Sequence, residues 1–378
     1  MKKILNIKSH YQKAKAFYKN YERWLMPATL VIGFLVDYIT FTSIQIAITF
    51  TLLFVYWAVA GATIIFINLY DAGKITFRVF PRQIPRSSAA LKYARLFAPL
   101  VLQFTFGALL STSLVFYWVS GAFSVSWPIV VIVAAAMISN DIFRHYLLKP
   151  VVQASVYFFT TFSLLSLVLP FIFKSLDPWV FGLAGALSMA LFYPYIRILF
   201  LAGDHIKEKK RHLLAATLAI FCAMNVLYFT NIIPPIPLSL REAGLYHSLK
   251  ISNGSYTMLA EPETFLGAIL PGQTVHVKPA DKIYFYTSIF APTHVDVEIF
   301  DHWQYYDAQK KNWVTQSVLS FPIIGGRKEG YKGYSFRSNL AAGDWRIFVK
   351  NKRGQVLGRM NFAVQKTEGE ITLQEVVK

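Results

Sequence analysis

Up to residue 231 the chain alternates long apolar runs with short polar links, and from Tyr256 onward apolar positions recur every second residue. A helix needs about 20 mostly apolar residues to cross a bilayer. Seven runs meet that length: 24–41, 44–68, 96–120, 127–148, 151–173, 178–200 and 213–231. The first is the weakest, with Pro27 early and Asp37 late. Trp24, Tyr70, Trp118, Trp127 and Trp179 fall at run ends, where interfacial aromatics belong. Before them, Ile4, Ile7, Tyr11, Ala14, Tyr18 and Tyr21 recur at helical spacing among lysines, which predicts a basic amphipathic helix over 1–23 lying on the membrane surface.

Beyond the bundle of residues 24–231, three prolines in Pro234-Pro235-Ile236-Pro237 end the last helix. The stretch 238–249 then reads as a short amphipathic helix, capped by Ser239 with Glu242 as its partner, so 232–250 is a proline-rich exit with one helix. Runs 256–261, 274–278, 282–290, 295–306, 313–321, 331–337, 345–350 and 356–364 have the period of strands and are rich in aromatic and β-branched residues. Asn351-Lys352-Arg353-Gly354 and residues 308–312 read as hairpin loops. Short strands at this spacing predict an all-β, immunoglobulin-like sandwich over 251–366, followed by a tail, 367–378. Trp303 and Trp345 are the first candidates for its core.

Charge orients the helical part. Lys2, Lys3, Lys8, Lys13, Lys15, Lys19 and Arg23 precede the first run, and Lys74, Arg78, Arg82, Arg86, Lys92 and Arg95 follow the second. Arg144 and Lys149 lie at the end of the fourth, and Arg197, Lys207, Lys209, Lys210 and Arg211 surround the link after the sixth. The intervening links hold only Lys174. Basic links stay in the cytoplasm, so the pattern predicts a multi-pass protein of a bacterial inner membrane, with a cytoplasmic N-terminus and a periplasmic C-terminal domain. The net charge of +18 is thereby an orientation signal that also favours anionic lipid headgroups, and it does not point to nucleic acid. Cys222, the only cysteine, lies in the seventh run, which leaves the β-domain without disulfides.

Candidate chemistry is sparse. Asp141, Arg144 and His145 share one face of the fourth run. With Arg197, Asn68, Asp71, Asp204 and His205 they make a candidate polar cluster at the cytoplasmic side, suited to a small-solute transporter or an intramembrane enzyme. In the β-domain, His302 with His247 or His294 lacks the spacing of a metal site, and Asp301 or Asp344 with Glu298 is a weak echo of a glycosidase pair. No nucleophile elbow, Walker loop or dinucleotide glycine pattern occurs, and no cofactor or metal is expected. The segment 325–337 stands apart, with glycines and cations among tyrosines. Arg327, Lys328, Tyr331, Lys332, Tyr334 and Arg337 are the candidate ligand-binding residues, for a saccharide, an anionic polymer or a protein edge.

Several motifs recur in order: Pro234-Pro235-Ile236-Pro237-Leu238-Ser239-Leu240, Gly244-Leu245-Tyr246-His247, His302-Trp303, Gly330-Tyr331-Lys332-Gly333-Tyr334-Ser335, Gly343-Asp344-Trp345-Arg346 and Gly358-Arg359, then Phe362 and Val364. Together they resemble an uncharacterised bacterial domain-of-unknown-function family, in which a multi-span bundle precedes a periplasmic β-sandwich. The resemblance implies a fold and a location and brings no activity. The reading is thus a non-enzymatic, membrane-anchored binding or accessory protein of the envelope, with an envelope polysaccharide or a membrane protein as partner. Its topology is testable. Tags at the N-terminus and in the 69–95 link should report cytoplasm, and a C-terminal alkaline phosphatase fusion should be active. A fluorescent C-terminal green-fluorescent fusion with a silent phosphatase would overturn it.

Overall fold

The computed structural model describes residues 21, 32, 46–74, 77–79, 82–84, 89–120, 127–135, 149–202, 204–233, 238–252, 254–262, 273–290, 297–323 and 331–378. The chain divides into two compact units. One comprises Met1–Phe116, Pro128–Leu169 and Asp177–Leu227; the other comprises Tyr117–Trp127, Pro170–Leu176 and Tyr228–Lys378.

The helices are α1 (Ile46–Asp71), α2 (Ala89–Ser120), α3 (Pro150–Phe173), α4 (Pro178–Ala202), α5 (Asp204–Glu208) and α6 (Lys210–Phe229). Residues 127–135 are also helical. Between α1 and α2, strands β1 (Phe77–Val79) and β2 (Arg82–Ile84) pair antiparallel. Among the described residues five helices are long and apolar enough to cross a membrane: α1, α2, α3, α4 and α6. The expected run 24–41, residues 136–148 of the expected run 127–148, and the basic helix over 1–23 lie outside the described residues apart from Tyr21 and Ile32. Some polar side chains in the helical unit pair across helices. Asn68 donates to Gln153 Oε1 at 2.8 Å and to the Ile64 carbonyl, and Trp57 Nε1 donates to Thr161 at 2.8 Å. Gly61 lets α1 and α3 approach closely, because a Cβ there would stand 2.5 Å from Tyr157 Oη.

The second unit is β-rich. Its strands are β3 (Ser239–Tyr246), β4 (Ser248–Ser252), β5 (Ser255–Ala260), β6 (Gln273–Val277), β7 (Lys282–Phe290), β8 (Val297–Asp307), β9 (Asn312–Ile323), β10 (Tyr331–Ser338), β11 (Gly343–Asn351), β12 (Val356–Lys366) and β13 (Gln374–Val377). They form sheets ordered β10-β7-β3, β6-β12-β11-β8-β9 and β13-β5-β4. All pairings are antiparallel except β6 with β12. Alternate residues of the first two sheets merge in one core: Leu245, Ile283, Phe285 and Ile289 meet Ile299, Trp303, Trp345, Ile347, Val349 and Phe362. A smaller core of Tyr246, Met258 and Tyr286 joins the third sheet to the other face of β7 and β3.

Two expectations are corrected. Residues 238–249 are not a helix; they form β3 and the start of β4. A bulge between Leu240 and Glu242 shifts the phase of β3, so its apolar positions lose strict alternation and imitate helical spacing. Residues 367–378 hold β13, which pairs with β5. Both hairpins form as expected, with Gly354 at φ +80° and Lys311 at φ +50°.

One polar bridge crosses the main core. Asp301, fully buried on β8, accepts from Ser335 Oγ on β10 at 2.6 Å, and Trp303 Nε1 donates to the same Oγ at 3.1 Å. Asp301 Oδ1 has no hydrogen-bond partner among the described residues. Burial pushes this carboxyl up to about 7 although the Ser335 hydrogen bond opposes the shift, whereas in the unfolded chain it titrates near about 3.9. Between those values the folded protein holds a proton that the unfolded chain has released. The contribution of Asp301 to stability is therefore greatest below about pH 4 and falls as pH rises to about 7, by a loss on the order of 4 kcal/mol at most. The wild type should melt at a lower temperature at pH 8 than at pH 5.5, and Asp301→Asn should lose most of that difference. An unchanged difference in the variant would refute this account of Asp301.

Candidate functional site

Strand alternation divides the expected binding segment between two faces. On β10, Tyr331, Gly333, Ser335 and Arg337 point toward the core face, and Lys332, Tyr334 and Phe336 point away. Tyr331 packs against the main core. Arg337 lies 5.4 Å from the Trp345 ring with its Nε buried and without a partner among the described residues, and burial lowers its pKa. Neither residue belongs to an outward site. Arg327 and Lys328 lie outside the described residues.

The outward face carries the candidate site. Tyr334 is 40% exposed and Phe336 47%, and neither is needed to fill the core. Register places Phe336 opposite Tyr284 and Tyr334 opposite Tyr286 on β7. The Tyr284 ring centroid lies 5.6 Å from that of Phe336 and 6.2 Å from that of Tyr334. Lysines flank the trio: Lys282 Nζ is 5.5 Å from the Phe336 ring, and Lys332 Nζ is 5.9 Å from Tyr256. The rest of this face is roofed by the sheet β13-β5-β4, which buries Tyr246 and Tyr286. The roof leaves Tyr334 and Phe336 uncovered, which makes an apolar platform of mutually tilted rings edged by ammonium groups. Sequence alternation alone links Phe336 to Tyr334. Tyr284 and Lys282 are supplied by the β7–β10 register, which no local pattern states.

The other sequence candidates are not gathered. Asp301 points into the core, whereas Glu298 is three residues away on the opposite face of β8, so no glycosidase pair forms. His247 Nε2 and His276 Nδ1 both meet the Glu261 carboxylate, at 2.9 and 2.7 Å, and the His276 amide donates to it at 2.7 Å. Burial opposes ionisation of Glu261, but these hydrogen bonds outweigh it and hold the carboxyl below its ordinary value. The arrangement clamps the end of β5 to β6. His302 stands on the outer face of β8, and His294 lies outside the described residues. Among the described residues no cluster suited to a metal ion occurs.

Of the cytoplasmic-side cluster, Asp141, Arg144 and His145 lie outside the described residues. Arg197 is exposed, bonds to Tyr193 one turn earlier and stacks on that ring at 5.1 Å. Asp71 takes two hydrogen bonds from Arg95, both at 2.8 Å, and Asn68 is committed to Gln153. The described members are thus engaged in separate pairings.

Comparison with known proteins adds a family and little else. Residues 296–364 match the family DUF2914, described as a protein of unknown function. The C-terminal region therefore carries a DUF2914 domain, spanning β8 to β12. No curated protein matches the chain. One solved structure, Pseudomonas fluorescens alkylpurine DNA glycosylase AlkC bound to DNA containing an abasic site analog, aligns over 76% of this chain and 84% of its own, at 10% identity and a TM-score of 0.22. At that score the likeness carries no argument.

Proposed function

We propose that this chain is a membrane-anchored binding or accessory protein of the bacterial envelope, without catalytic activity. In this reading the helical unit crosses the inner membrane seven times and holds an immunoglobulin-like sandwich on the periplasmic side. The sandwich recognises a saccharide of the envelope. The observation that carries the reading is the exposed pair Tyr334 and Phe336, resting against half-buried Tyr284 beside Lys282 and Lys332. A small domain gains stability by burying large apolar rings, and the neighbouring sheet already buries Tyr246 and Tyr286 on this same face. Adjacent rings left outside suit the apolar face of a sugar, while flanking ammonium groups suit its hydroxyl and acidic groups. The basic links support the orientation, and the apolar helices support the anchor.

A transporter or intramembrane enzyme would use the Asp141, Arg144, His145 and Arg197 cluster. The outward placement of Arg197 does not favour it. The binding reading is tested with the full chain in detergent on an array of bacterial envelope glycans. At least one glycan should be retained, and Tyr334→Ser with Phe336→Ser should weaken retention tenfold or more, equivalent to about 1.4 kcal/mol. Retention that is unchanged in the double variant, or absent for every glycan, would contradict the proposal.

A further inference from the structure

A second surface, on the other main sheet, has a different chemistry. The outward positions of β11 are Arg346, Phe348 and Lys350, and register surrounds them with polar groups. Arg346 stands between Gln304 on β8 and Asn361 on β12. Phe348 stands between His302 and Arg359. The Arg346 guanidinium lies 4.1 Å from the Trp313 ring and 4.9 Å from Phe348, and its Nε donates to Gln304 Oε1 at 2.7 Å. Gln304 in turn donates to Thr315 at 3.0 Å. Lys350 Nζ lies 5.1 Å from Phe348 on its other side. The aromatic rings thus hold two cations upright on the sheet.

Nothing anionic neutralises them. Among the described residues, no carboxylate forms an ion pair with Arg346, Lys350 or Arg359. Asp344 and Glu298 bound the strip without pairing to it. The cations instead oppose one another: after burial, the main influence lowering the pKa of Arg346 is Arg359, that of Lys350 is Arg346, and that of His302 is Lys350. Gathering like charges disfavours the folded state, and such a field attracts anions. We propose that the outer face of the five-stranded sheet binds a linear anionic polysaccharide, with Arg346, Lys350 and Arg359 meeting its carboxylate or sulfate groups.

Four residues of strand separate Arg346 from Lys350 by about 13 Å, and Arg359 lies one strand, about 4.8 Å, to the side. Charges strung over that span suit repeated anionic groups better than one small anion. The amides of Gln304 and Asn361 and the Thr315 hydroxyl lie beside the strip and suit sugar hydroxyls. A single-stranded nucleic acid would instead require open rings on which bases stack, and here Trp313 and Phe348 already carry cations. The site is separate from the Tyr334 platform and does not depend on it.

The test uses the full chain in detergent, immobilised, with heparin as a sulfated probe, polygalacturonate as a carboxylated probe, dextran as a neutral one and polydeoxythymidylate as a nucleic acid. Either or both anionic polysaccharides should bind, more weakly as salt rises from about 50 to about 300 mM, and dextran should not. Arg346→Gln with Lys350→Gln and Arg359→Gln should weaken binding at least tenfold and flatten the salt dependence. Arg359→Gln alone, at an exposed position where folding is safe, should weaken it about threefold. Tyr334→Ser with Phe336→Ser should leave polyanion binding intact, so failure here and failure of the platform are told apart. Wild-type affinity in Arg359→Gln and in the folded triple variant, dextran binding as tight as the polyanions, or tighter binding of the polynucleotide would each overturn the proposal.

Discussion

The hydrogen-bonded link from Trp303 and Asp301 to Ser335 is the constraint on which the rest of the β-rich unit depends. It joins the two main sheets through the middle of an otherwise apolar core, where a misplaced polar group costs several kcal/mol. The β10–β7 register brings Ser335 within reach of both partners on the facing strand β8. Because side chains alternate strictly, a slip by one residue would turn Tyr334 and Phe336 inward and Ser335 outward. A separate register, of β8 with β11, holds Trp303 opposite Ile347 and puts Gln304 beside Arg346 on the far face. The link thus fixes the outward face of β10, which carries the aromatic platform, and the inward face of β8, which lies opposite the cationic strip.

Much of this unit is legible in the sequence, for a physical reason. Strands buried on one face repeat with period two, and the predicted runs 282–290, 331–337 and 345–350 fall on β7, β10 and β11 within one or two residues at each end. Trp303 and Trp345 are core residues because they stand in phase with Ile299, Ile347 and Val349. The pattern misleads where a backbone irregularity breaks phase, as the bulge in β3 does. It is silent where a short strand is fixed by a distant partner, as β13 is by β5. In the helical unit, length and apolarity suffice to identify five helices among the described residues, since every backbone polar group in lipid must be satisfied within its own segment.

The candidate site was only half legible. Glycines, cations and tyrosines between 325 and 337 mark a segment with binding potential, but composition does not distinguish a loop from a strand that turns alternate residues inward. Lys332 and Tyr334 belong to the exposed face; Tyr331 and Arg337 do not. Phe336 could be reached by alternation from Tyr334. Tyr284, Lys282 and the trio of Trp313, Arg346 and Phe348 are brought together by strand pairing across long separations, for which no local signal exists. A charge run would have revealed the cationic strip, but its cations are spread over two strands at alternate positions, and each segment alone looks like an ordinary solvated face.

The aromatic platform is an outward face fixed by an inward contact, so its existence rests on the alternation of β10. Substituted-cysteine labelling measures it most directly, with single cysteines placed at residues 332, 334, 335 and 336 in the full chain after Cys222→Ser; Gly333 is left in place because a Cβ there would clash with the Phe321 ring. Labelling by a polar maleimide should be fast at 334 and 336 and slow at 335. Uniform labelling along the strand, or fast labelling at 335, would contradict the register and with it the aromatic platform.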